Sequence, residues 1–139
     1  MEMNWHLCQD KGFAKRITPD KSLANSLVKT AENQLKTEST IPLSEQTLQS
    51  KIILVYSALR EILEAIAILH GWKIYNHECF YFFLNEVLKR QTLAEKFNLF
   101  RKIRNKICYY GKSVSLTYSE NLLSEMRVLI KTLKKEFLT

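Results

Sequence analysis

Apolar residues recur along most of this chain at steps of three and four, the spacing of one face of an α-helix. The longest such stripe is Leu48, Ile52, Val55, Leu59, Ile62, Ile66 and Leu69, opened by Ser44 as a cap and closed by Gly71. Before it, Thr18-Pro19-Asp20 reads as an N-cap with proline at the first helical position. A helix then carries Leu23, Leu27, Ala31 and Leu35 inward to about Lys36. The polar run ending in Pro42 separates the two.

After a short connector, WKIYNH, the pattern predicts a third helix capped by Asn76, with Cys79, Phe80, Phe83, Val87 and Leu88 inward, and then a turn at Gln91-Thr92. From Leu93 a fourth helix presents Phe97, Phe100, Ile103, Ile107 and Tyr110, and stops at Gly111. Ser119 or Thr117 opens the last helix, with Leu122, Met126, Leu129, Ile130, Leu133 and Phe137 apolar. No run of alternating polar and apolar residues is long enough to predict a strand. The expected fold is all-α: an antiparallel up-and-down bundle of about five helices in one domain, residues 1–139, with residues 1–17 a loosely attached segment.

Composition sharpens this picture. The chain has only three Gly and two Pro among 139 residues, too few for the turns of all-β folds or the glycine loops of doubly wound folds. No stretch is apolar enough to span a membrane, and the first residues have no apolar core of the signal-peptide kind, so a cytoplasmic location without a membrane is expected. Cys8, Cys79 and Cys108 are odd in number and widely spaced, so free thiols are expected, with no disulfide framework and no metal site. A formal charge of +7 makes an acidic partner plausible, because clustered cations gain affinity for polyphosphate by releasing counterions.

The fourth helix carries the chemistry. Helical spacing puts Arg101, Arg104, Asn105 and Cys108 on one face, beside the apolar stripe, while Lys102 and Lys106 point elsewhere. The segment RNKICYYG, Arg104 to Gly111, resembles the signature helix of the HEPN superfamily, small helical bundles in which an Arg-polar pair is followed by a histidine. ALREILEAIAILHGWKIYNHECFYFFL is similar to the body of archaeal members, and the resemblance spans about Ser44 to the C-terminus.

That resemblance implies a homodimer whose paired signature helices form one composite site. It also implies metal-independent, cofactor-free endoribonuclease activity, often as a toxin paired with a nucleotidyltransferase antitoxin. Carried over by position, Arg104 holds the scissile phosphate, Asn105 orients it, and the acid/base falls at Tyr109, Tyr110 or Gly111. Arg101, Lys102, Lys106 and Lys112 would contact RNA, and Tyr109 or Tyr110 would accept AMP from the partner. Tyrosine at the acid/base position is a departure. A phenol of ordinary pKa near 10 needs roughly 4 kcal/mol of preferential phenolate stabilisation to act as a base at neutral pH. The expectation is therefore a catalytically weak or inactive HEPN-like homodimer that binds RNA or a nucleotidyltransferase. The alternatives are an active ribonuclease toxin using Tyr109 and an adaptor that binds no nucleic acid.

Elsewhere, His77 and Cys79, two apart on a helix, point in different directions and no partner pair has ligand spacing, so no metal is expected there; His77 reads as a helix-capping residue, with His70 in the matching role at the opposite end of a helix. Glu61 and Glu64 read as ion-pair partners, at least one of them for Arg101, Arg104 or Lys73. Phe80, Tyr81, Phe82 and Phe83 read as core or interface.

Overall fold

The structure, a computed structural model, describes residues 2–109 and 113–138. In chain order its elements are α1 (Trp5–Asp10), β1 (Ala14–Arg16), α2 (Lys21–Ser39), α3 (Leu48–Leu69), β2 (Trp72–Ile74), α4 (Glu78–Phe82), α5 (Gln91–Tyr109) and α6 (Leu116–Phe137). The architecture is an all-α bundle, and no described helix is long and apolar enough to cross a membrane. The central member is α3, packed by α2 along one flank and by α5 and α6 along others. Its stripe Ile52, Val55, Leu59, Ile62 and Ile66 is fully buried, and Ala58, Ala65 and Ala67 let neighbouring helices approach closely.

Helix starts differ from the sequence reading. The side chain of Asp20, not Thr18, caps α2 by accepting the Leu23 N–H at 2.9 Å. Ser44 instead opens a turn that precedes α3, accepting the Thr47 N–H at 3.2 Å. Gln91 and Thr92 are already helical, because the chain turns two residues earlier at Lys89, whose φ of 59° lies in the left-handed region. The cap of α6 is Ser115, which accepts the Tyr118 N–H at 3.0 Å, while Ser119 is buried one turn inside and donates to the Ser115 carbonyl. The expected stop at Gly111 lies outside the described residues. Below Phe82, α4 widens into a π-type turn over Phe83–Val87.

The segment from Trp5 to Ile17 is not loose, and the chain does contain strands. Pairing of β1 with β2 is antiparallel, Ala14 opposite Ile74, Lys15 opposite Lys73 and Arg16 opposite Trp72. Trp5 is buried edge-on against Trp72 with ring centres 4.9 Å apart, and its backbone N–H donates to the Glu86 carboxylate at 2.9 Å. Gly71, at φ 82°, turns the chain from α3 into β2 while its carbonyl accepts the Ile17 N–H at 2.9 Å. An added Cβ there would come within 3.2 Å of the Ile17 carbonyl oxygen, so glycine serves both the turn and the close approach.

Cys8 and Cys79 form a disulfide, which overturns the expectation of free thiols, and Cys108 alone is free. A second feature absent from the sequence reading joins α2, α3 and α6. The Glu38 carboxylate, 4% exposed, lies 3.1 Å from the Lys51 ammonium, itself 6% exposed, and is also paired with Arg127. Lys51 donates to the carbonyls of Glu38 and Ile41, and Arg127 to that of Leu35, so the buried charges have hydrogen-bond partners on every side.

A candidate anion site between α3 and α5

The apolar face of α5, Leu93, Ala94, Phe97, Phe100 and Ile107, is buried against the bundle. This fixes the rotation of the helix and leaves Arg101, Arg104 and Asn105 half-buried at its edge, facing α3 and α4. The Arg104 guanidinium carbon lies 5.0 Å from the Tyr56 ring centre and 4.8 Å from that of Tyr109, so two aromatic faces hold the cation. Its Nη1 donates to the Tyr109 hydroxyl at 2.7 Å and to Asn105 Oδ1 at 3.2 Å. Arg101 donates to Asn98 Oδ1 at 3.0 Å and lies 3.9 Å from the Glu78 carboxylate.

Sequence reasoning missed three members of this site. Tyr56 and Arg60 come from α3, and His77 from the start of α4. The spacing of Tyr56, Arg60 and Glu64 by four was a visible signal, since it places all three along one line of α3. Arg60 pairs with Glu61 at 3.0 Å and Glu64 at 3.3 Å, and Lys73 also pairs with Glu64. The expected partner Lys73 is thus correct for Glu64, whereas Glu61 meets Arg60. His77 makes no capping hydrogen bond; the cap is supplied by Asn76 Oδ1, which accepts the Glu78 N–H at 2.9 Å. His70 does sit at the C-terminal end of α3, its Nδ1 2.8 Å from the Ile66 carbonyl oxygen.

Electrostatics follow from this crowding of cations. Burial pushes the Tyr56 phenol up to about 12, although Arg104, Arg101 and Arg60 pull it down. His77 is lowered from its usual value, first by desolvation and then by Arg60, Arg104 and Arg101, with Glu64 opposing, so its ring is neutral at pH 7. Burial raises the Cys108 thiol against the pull of Arg104 and a hydrogen bond with Gln49, so it is a protonated thiol near neutrality.

The shift at Tyr56 has a measurable consequence. An unfolded phenol loses its proton near pH 10 and the folded one only near 12. Between those values the unfolded state binds fewer protons, so stability present below pH 10 drains away as pH rises, by about 3 kcal/mol in all. In Tyr56→Phe that alkaline slope should flatten in denaturant titrations followed from pH 9 to 12, and an unchanged slope would refute the assignment.

Three buried polar atoms here have no hydrogen-bond partner among the described residues: Tyr56 Oη, Arg101 Nε and Arg104 Nε. Each can donate a hydrogen bond, and each unmade bond costs about 1–3 kcal/mol. All three atoms are closed to solvent, so a ligand meets them only where the side chains around them move aside. Lys102 and Lys106 are exposed on another side of α5, whereas Tyr110, Gly111 and Lys112 lie outside the described residues. No group of three or more metal-ligating side chains occurs among the described residues. Phe80 and Phe83, from the aromatic run of α4, belong to the core, while Tyr81 and Phe82 are half-buried against each other.

No protein-family model matches the chain, and neither a curated protein nor a solved structure shows significant similarity to it.

Proposed function

We propose that the Arg101–Arg104–Asn105 face binds phosphate groups of RNA, in a homodimeric HEPN-like bundle with weak or no nuclease activity. The observation that carries this reading is the crowding of three guanidinium groups, Arg60, Arg101 and Arg104, around Tyr56, since guanidinium is suited to phosphate. The resemblance of RNKICYYG to the HEPN signature supports it, as does the net charge of +7. Weak catalysis fits Tyr109. A phenol is a poorer general base near neutral pH than the imidazole that the HEPN signature carries. The disulfide between Cys8 and Cys79 counts against the cytoplasmic expectation, since such bonds persist mainly in oxidising surroundings.

The test is a salt titration of RNA binding. Wild-type affinity should fall steeply with ionic strength, and Arg104→Ala should bind at least tenfold more weakly with a slope lower by about one. Flat binding, or none, would favour the adaptor that binds other proteins, a nucleotidyltransferase included.

A second reading, an active endoribonuclease, gains from one observation. Although no histidine follows His77 in sequence, His77 is itself drawn into the field of Arg60, Arg104 and Arg101 and stays neutral, the state a general base needs. Cleavage of RNA by the wild type that is lost in His77→Ala but kept in Tyr109→Phe would establish it.

A further inference from the structure

The anion site lies at one end of a longer surface. From Tyr109 and Arg104 the row of side chains passes over buried Tyr56 and half-buried Arg60 on α3 to buried Glu64, which Arg60 and Lys73 flank. Lys73 leads on to Tyr75, just beyond β2, with its Nζ 5.9 Å from the ring centre. Lys15, opposite Lys73 in the strand pair, brings a second ammonium to 5.8 Å from the same ring. The surface therefore ends in two large aromatic side chains, Tyr75 at 60% exposure and Tyr109 at 66%, each attended by cations.

Exposing an aromatic ring to water forfeits the stabilisation that burial would give, and both helix packing and strand pairing here proceed without either ring. The Tyr75 backbone N–H donates to the Phe13 carbonyl at 2.7 Å, and its ring meets the ammonium groups of Lys15 and Lys73. Between the two ends, α3 alone advances roughly 12 Å from Tyr56 to Glu64, so one nucleotide cannot reach both rings. Cations that follow a backbone, with flat rings on which unpaired bases stack, form the usual platform for a single strand. A duplex keeps its bases stacked on one another and would leave both rings unused.

We infer that Lys15, Lys73 and Tyr75 form a second subsite for single-stranded RNA. One strand runs from Tyr109 and Arg104 past Arg60 to the β1–β2 pair and stacks a base on each terminal tyrosine. This rests on the phosphate-binding reading of Arg104 and adds the strand's path and its stacking platforms. The two acids along the way, Glu61 and Glu64, are matched in charge by Arg60 and Lys73.

The probes are a uridine dinucleotide and an oligouridylate of about ten residues, long enough to span both ends, with binding followed by fluorescence anisotropy on the intact chain. Tyr75→Ala should weaken the long oligonucleotide roughly tenfold, in line with about 1–3 kcal/mol per stacked base. It should leave the dinucleotide unchanged, and Tyr75→Phe should restore full affinity. Arg104→Ala should weaken both probes. If Tyr75→Ala binds the long probe like wild type while Arg104→Ala does not, the second subsite is refuted and the phosphate reading stands. If Arg104→Ala also binds like wild type, or the wild type binds neither probe, both are refuted.

Discussion

Opening the Cys8–Cys79 bond should lower the stability of this protein by about 4 kcal/mol. The bond closes a loop of 71 residues, and constraining a loop of that length removes conformational entropy from the unfolded chain that the folded state never had to lose. Both cysteines are fully buried, so the double variant Cys8→Ala, Cys79→Ala keeps most of the local packing and isolates the cross-link. The measurement is a pair of urea titrations, with and without reductant. The oxidised wild type should unfold at distinctly higher denaturant, and reductant should move the wild type but not the double variant. Superimposable wild-type curves would show that the cross-link is absent in solution.

The second large effect belongs to Glu38. Replacing it with alanine strips the Lys51 ammonium of its carboxylate in a site where Lys51 is 6% exposed, and also removes the anchor of Arg127. Breaking a buried pair from one side costs about 3–5 kcal/mol, because the remaining charge must be neutralised, hydrated or displaced. Glu38→Leu combined with Lys51→Met should recover most of that loss, since no buried charge is then left unpaired. The readout is the urea midpoint at constant slope. A loss below about 1 kcal/mol for Glu38→Ala would mean that water reaches Lys51 and the network is only a surface pair.

The helical core was legible because its signal is local. In α3 the apolar residues repeat over six turns, and the glycine that ends it has the left-handed backbone such a stop uses. Strands of three residues carry no period to read; Ala14–Arg16 and Trp72–Ile74 exist because a partner 56 to 60 residues away in sequence completes each one. Cysteine parity misled for a related reason. Three thiols leave one over, yet nothing prevents two of them from meeting when α1 docks beside α4.

The site divides the same way. Arg101, Arg104 and Asn105 could be placed on one edge of α5 by helical spacing alone. Tyr56 and His77 could not, because their relation to Arg104 depends on how α3, α4 and α5 are arranged in space. Their altered proton affinities are products of that arrangement and have no signature in their neighbours along the chain.

The docked N-terminal segment also bears on the order of assembly. Helices α2 and α3 are joined by a short connection and form the most extensive pairing in the bundle, so they can meet early at little entropic cost. By contrast, Trp5 must find Trp72 and Glu86, and β1 must find β2, across separations of 56 to 81 residues, and those partners are in position only once α3 and α4 have formed. The segment from Trp5 to Arg16 is thus among the last to find its place, acting as a latch over a bundle that has already condensed.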